Sequence, residues 1–217
     1  PLTFTATANA PRRAGATVRF ADVSDGSYHL DQMRAFATCT KRTRAILPVH
    51  YAGLALDMEM LEQIAWANGA VLVEDAAQAA GSRYPDGTMV GSRPGTLCCF
   101  SFGPEKVMTT GFGGMITTGR DDLAAALRLI VRQGLHREGA TRDQRWPAMN
   151  AAMGELQAAI GVVQVERLEE FIATRRHLAA IYRHELADVE GVTLPPWNDW
   201  ETNGSLFPVQ VLRRQRV

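Results

Sequence analysis

Three neighbouring stretches decide the fold: Thr43-Arg44-Ala45-Ile46-Leu47-Pro48-Val49, the segment 57–68, and Ala70-Val71-Leu72-Val73-Glu74. The first and third are apolar at successive positions, as strands buried on both faces are. Pro48 stands near the end of the first, where a lost ladder donor is tolerated. Between them Leu61, Ile64, Ala65 and Asn68 recur at helical spacing. Asp57 is placed to cap that helix, and Gly69 to take the left-handed residue that closes it. A strand, a helix and a strand within about thirty residues form a βαβ unit, so the two strands are expected to be parallel.

The pattern extends outward in both directions. Upstream, Thr17-Val18-Arg19-Phe20-Ala21-Asp22-Val23 reads as a short strand. Downstream, Thr96-Leu97-Cys98-Cys99-Phe100-Ser101 and Gly114-Met115-Ile116-Thr117-Thr118 read as two more. Asp121 or Asp122 can cap a helix reaching about residue 133. Residues 134–150 are polar, rich in arginine and interrupted by Pro147, and read as a long functional or mobile loop. One long helical pattern then runs over 154–187, carried by Leu156, Ile160, Val163, Leu168, Phe171, Ile172, Leu178, Ile181 and Tyr182. Its length suggests a link between two domains, divided as 1–165 and 166–217. Leu194-Pro195-Pro196-Trp197 ends it, and residues 207–212 look like one strand of a further unit. Arg213, Arg214 and Arg216 read as an exposed tail.

Strands alternating with helices mean an α/β layered domain. In such sheets ligands collect at the carboxyl ends of the strands. Asp75, Ser101 and the segment to Lys106 all fall there.

Composition narrows the class. The chain has 217 residues, 46% hydrophobic and 21% charged, which suits a globular domain. Its 23 basic and 23 acidic residues cancel to a formal net charge of +0, so no basic field argues for nucleic acid. No apolar run is long enough to span a membrane. Pro1-Leu2-Thr3-Phe4 is not a secretory signal, and the absence of an initiator Met suggests a missing N-terminus. Cys39, Cys98 and Cys99 match neither a zinc site nor a disulfide framework. They are expected to be small buried hydrophobes of a reducing cytoplasm.

The residues that can carry chemistry each have an ordinary alternative. Lys106, in Ser101-Phe102-Gly103-Pro104-Glu105-Lys106, taken alone is a solvated lysine. Desolvated at a strand end, its neutral amine could form a Schiff base with an aldehyde. Gly111, Gly113 and Gly114 follow it and read as a turn, since no Gly-Lys-Ser/Thr closes a nucleotide loop. Asp75 can cap a helix over the following alanines, or hold a protonated pyridine nitrogen. Gln78, about one turn on, can be a solvated amide or lie against a cofactor ring. Ser101 and Asn150 can make local hydrogen bonds and a helix cap, or reach a phosphate. His50 is either a structural histidine or a substrate residue. A lysine and an aspartate at neighbouring strand ends suggest pyridoxal phosphate.

The ordered set is more specific than its members. Pro48-Val49-His50-Tyr51-Ala52-Gly53, Val73-Glu74-Asp75-Ala76-Ala77-Gln78-Ala79, Phe100-Ser101-Phe102 with Lys106, and Asn150-Ala151-Ala152-Met153-Gly154-Glu155-Leu156-Gln157-Ala158-Ala159 together resemble the DegT/DnrJ-type sugar aminotransferases. The segment up to Gly15 resembles the stretch before that family's second large-domain strand. The resemblance implies a three-layer α/β/α fold with a mainly parallel sheet, that of aspartate-aminotransferase-like pyridoxal-phosphate enzymes. Lys106 would bind the cofactor covalently and shuttle a proton, Asp75 would pair with the ring nitrogen, and Gln78 would cover the ring. Ser101 would bind the phosphate, with Asn150 contributed by the partner subunit of a homodimer. The reaction would be ping-pong, from an amino acid such as L-glutamate to a keto-sugar nucleotide in polysaccharide or antibiotic sugar biosynthesis; a carbocyclic ketone is another substrate the family uses. Relatives that act as dehydratases carry histidine where Lys106 stands, so lysine favours transamination. Ala152 stands where the family has arginine, and Phe112 where it has an acidic residue. Family members are longer, so the resemblance implies a fragment lacking an N-terminal phosphate loop, a stacking aromatic and much of a small C-terminal domain. The competing expectation is a non-catalytic relative that keeps the scaffold for regulation or subunit interaction.

Overall fold

The strand-helix-strand unit forms as the pattern requires. In the computed structural model, which describes residues 2–24, 26–138, 141–144 and 147–212, β1 (Ala45–Ile46) and β2 (Val71–Asp75) are parallel, with Ala45 opposite Val71. Helix α3 (Glu59–Asn68) connects them and buries Leu61, Ile64 and Ala65. Gly69 closes it at φ 61°, the left-handed geometry in which glycine lacks the steric penalty of other residues. Asp57 does bond to the helix start, through Oδ1 to the Glu59 amide at 3.0 Å. β1 is shorter than the apolar run because Pro48 has no amide to donate; pairing resumes at Val49 opposite Asp75.

β3 (Leu97–Ser101) joins β2 in parallel and β4 (Gly114–Thr117) closes the sheet antiparallel, giving the order β1-β2-β3-β4. The sheet is mainly parallel and flanked by helices, the α/β class expected. Leu56, Met58, Leu61, Leu72 and Cys98 lie at the centre of the core. Cys98 is buried, and burial pushes its thiol pKa well up. Burial, with Asp75 and Glu74 nearby, raises that of Cys99 to about 11, so neither is a nucleophile at neutral pH.

Other expectations change. Residues 17–23 form no strand; only Val23 pairs, in an isolated bridge with Leu30. A largely apolar cavity of about 490 Å³ separates this segment from β1, lined by Val18, Phe20, Ile46 and Leu47 among others. Helix α1 (Thr5–Arg13) borders the same cavity through Thr7, Ala8 and Pro11, and α2 (Gln32–Thr38), capped by Asp31, precedes β1. The helix after β4 is α4 (Asp121–Ile130). The polar loop of 134–150 contains a hairpin, β5 (Leu135–Glu138) with β6 (Thr141–Gln144). Its strands lack apolar alternation, so periodicity does not announce them. The long helix is two: α5 (Glu155–Glu166) and α6 (Leu168–Leu186), divided at Arg167, whose φ and ψ of −97° and 1° leave the helical region. The last pairing joins β7 (Val192–Thr193) to β8 (Gln210–Val211). The basic tail lies outside the described residues.

His29 ties the 22–31 segment to the loop after β1 by donating from Nε2 to the Leu54 carbonyl at 3.0 Å. Burial lowers its pKa from 6.5 to about 4, and the nearby His50 adds to the shift. The unfolded chain takes up this proton near pH 6.5, whereas the folded chain does not until about pH 4. Stability should therefore fall as pH drops through that window, by about 3 kcal/mol in full. Urea midpoints between pH 7.5 and 4.5 test this; a flat profile, or one unchanged by His29→Gln, refutes it.

Candidate active site

The carboxyl end of β2 sends two acidic residues to opposite faces of the sheet. Glu74 points into the core and is fully buried. Asp75 points the other way. Its parallel partner is Cys99, so Asp75, Cys99 and Ser101 share one face at neighbouring strand ends. Asp75 begins a turn and not the helix that its alanines suggested: Oδ1 accepts from the Ala77 amide at 3.1 Å, and the Ala79 amide bonds back to Ala76.

Past Ser101 the chain turns through Gly103, whose carbonyl accepts from the Lys106 amide at 3.1 Å. The Lys106 side chain is 18% exposed, with Nζ 3.1 Å from Glu105 Oε1. The loop is held from three sides. The Phe102 carbonyl accepts from both the amide and, at 3.1 Å, the hydroxyl of the Thr110 and Thr109 pair, respectively. Gln164 of α5 accepts from the Thr109 amide at 3.1 Å. Arg175 of α6 donates to the Lys106 carbonyl at 3.5 Å. Among the described residues the Ser101 hydroxyl has no protein partner.

Gln78 lies in the turn after Asp75, and its Oε1 accepts from the Ala52 amide at 2.7 Å. The loop His50–Gly53 is thereby tied to the residues following β2. Gly53 is required there: at φ +79° an added Cβ would lie 1.8 Å from Asn203 Oδ1. Buried Asn203 completes the clamp, donating to the carbonyls of Gln78 and Ala80 at 2.8 and 2.9 Å.

His50 is placed in the core. It is fully buried. Its Nδ1 accepts from the Leu56 amide at 3.1 Å, so Nε2 carries the hydrogen and donates to Glu74 at 2.8 Å. Tyr84 donates to the same Glu74 oxygen at 2.6 Å, and Thr96 to the other. Burial works against the Glu74 charge, but hydrogen bonds from His50, Thr96 and Tyr84 outweigh it and hold the carboxyl below its ordinary range. The Tyr84 hydroxyl is pushed well up by burial and by Glu74. Both ring nitrogens of His50 are thus committed within the core.

Asn150 lies in the stretch before α5. It bridges to Arg132 beyond α4 and is exposed, with no hydrogen bond to Ser101 or Lys106 among the described residues. Ala152 and Phe112 are exposed as well. Sequence reasoning missed Thr7, whose hydroxyl reaches Asp75 Oδ2 at 2.5 Å. Its only local sign is a threonine in an amphipathic segment; 68 residues separate the partners. Among the described residues no cluster of three or more histidine, cysteine or acidic side chains could hold a metal, and no helix is long and apolar enough to cross a membrane.

The sequence and the fold resemble those of known proteins. The chain is 40% identical over 188 residues to the GDP-perosamine synthase of Caulobacter vibrioides, covering 86% of this chain and 49% of that protein. It is 38% identical to the dTDP-3-amino-3,4,6-trideoxy-alpha-D-glucose transaminase of Micromonospora megalomicea over 93% of this chain and 54% of that one. The crystal structure of DesV from S. venezuelae, in complex with a ketimine intermediate, superposes with a TM-score of 0.88 at 34% identity, over 98% of this chain and 56% of that chain. The chain thus spans about half the length of the curated relatives it matches. The model of the DegT/DnrJ/EryC1/StrS aminotransferase family matches residues 1–217, and the chain belongs to that family.

Proposed function

We propose that the whole protein is a pyridoxal-phosphate-dependent sugar aminotransferase. The observation that carries this reading is the shared face of Asp75 and Ser101 at neighbouring strand ends, continued by a pinned loop that ends in Lys106. The residues fit the cofactor. A carboxylate faces out of the sheet; among the described residues a serine hydroxyl has no protein partner and a mostly covered amine meets only Glu105.

Bound pyridoxal phosphate supplies an aldehyde that condenses with amines and a ring that accepts electrons. The protein's part is to hold and to move protons. Asp75 would keep the ring nitrogen protonated. Ser101 would donate to the phosphate, and Asn150 would reach the phosphate of a partner subunit's site in a homodimer. Gln78, fixed through Ala52, would bound one face of the ring. Lys106 Nζ would anchor the cofactor and carry a proton between the two carbons flanking the exchanged nitrogen. The substrates would be an amino-acid donor, with L-glutamate the first candidate, and a keto-sugar nucleotide, in two half-reactions at one site. The relatives' names support the nucleotide-sugar acceptor. The unit 1–165 would hold the cofactor and 166–217 would begin a second unit; the pairing of β7 with β8, separate from the main sheet, supports that division. A cytoplasmic site of action follows from such substrates.

Asp75→Asn tests the assignment. The variant of the whole protein should still bind the cofactor with a visible absorption band, but transaminate on the order of a hundredfold more slowly or worse. Near-parental turnover would refute the role of Asp75.

A further inference from the structure

We propose that Thr7 is a positioning residue for Asp75, acting through a one-way chain of hydroxyls that begins at Thr3. The inference rests on the reading of Asp75 as the partner of the cofactor's ring nitrogen. Thr7 Oγ1 donates to Asp75 Oδ2 at 2.5 Å, and Thr3 Oγ1 lies 2.8 Å from Thr7 Oγ1. An ionised carboxylate can only accept, so the single proton of Thr7 is spent on Asp75. Thr3 must then be the donor to Thr7. The chain runs Thr3 to Thr7 to Asp75, each hydroxyl polarising the next.

The second oxygen of Asp75 is held by the Ala77 amide. The carboxylate is therefore fixed from two sides, by its own turn and by the first turn of α1. Each oxygen keeps a further lone pair with which it could accept from a ring N–H. Preset geometry of this kind makes an electrostatic partner effective in a transition state. The contact joins residues 68 apart in sequence, and α1 buries none of its side chains. Packing alone does not hold this threonine against the aspartate.

The test uses the whole protein loaded with pyridoxal phosphate labelled with ¹⁵N in the ring. Thr7→Val keeps the shape and removes the donor; Thr7→Ser restores it. Thr7→Val should move the ring-nitrogen chemical shift toward the unprotonated value and lower kcat roughly tenfold with little change in KM. Thr7→Ser should recover both. Thr3→Val, which leaves the Thr7 contact in place, should shift the signal in the same direction but less. Asp75→Asn is the control. If Asp75→Asn moves the signal and neither threonine variant does, the proposal for Thr7 is wrong while Asp75 keeps its role. If Asp75→Asn leaves the signal unmoved, the reading of Asp75 fails and the Thr7 proposal falls with it.

Discussion

Lys106→Ala, made in the whole protein, should lose the visible band that a lysine-bound pyridoxal gives and retain almost no transamination. The loop that carries Lys106 is held by Gln164, by Arg175 and by bonds to the Phe102 carbonyl, none of which uses the lysine side chain. Truncation should therefore leave the fold intact and remove only the amine. Loss of a positioned proton carrier alone costs about 10²–10⁴-fold, and loss of the covalent anchor adds to that. Absorbance after dialysis against the cofactor, with a coupled assay of amino transfer, measures both. A visible band that survives in the variant would remove Lys106 from the centre of the mechanism.

The second large effect concerns stability. Glu74→Ala should destabilise the protein by about 3–5 kcal/mol. Glu74 is fully buried and accepts from His50, Tyr84 and Thr96. Removing the carboxylate leaves the buried donors of His50 and Tyr84 without an acceptor and Thr96 with only the Arg93 carbonyl at 3.4 Å, and each orphaned group costs about 1–3 kcal/mol, less than additively. Glu74→Gln keeps an acceptor oxygen and should cost clearly less. Because the Glu74 pKa is lowered on folding, its contribution is present above the unfolded value of 4.5 and is lost as pH falls through the lower folded value. Urea denaturation at pH 7 decides the matter: an alanine variant within about 1 kcal/mol of the parent contradicts this account of the network.

The sheet was legible because parallel strands and their crossover helices leave strong local signals. Leu61, Ile64 and Ala65 sit on the buried face of α3, and the apolar runs 70–74 and 96–101 became β2 and β3. The positions of Asp75, Ser101 and Lys106 followed from those strand ends. What escaped was long-range. Nothing near Thr7 announces Asp75, and nothing near Asn203 announces the carbonyls of Gln78 and Ala80. His50 was ambiguous because a histidine at a strand end suits either a substrate or a buried acid, and only its neighbours decide. Hairpin β5–β6 was invisible because polar strands carry no alternation, and the break at Arg167 because apolar spacing continues across it.

The cavity beside β1 bears on how copies of this chain behave toward one another. β1 is an edge of the sheet, and its outer side faces an apolar slot with no strand in it among the described residues. Unpaired backbone groups beside an apolar wall are a template for edge-to-edge association. A formal net charge of +0 gives no long-range repulsion to keep such edges apart. Association between copies of this chain is therefore expected to begin at the exposed edge of β1.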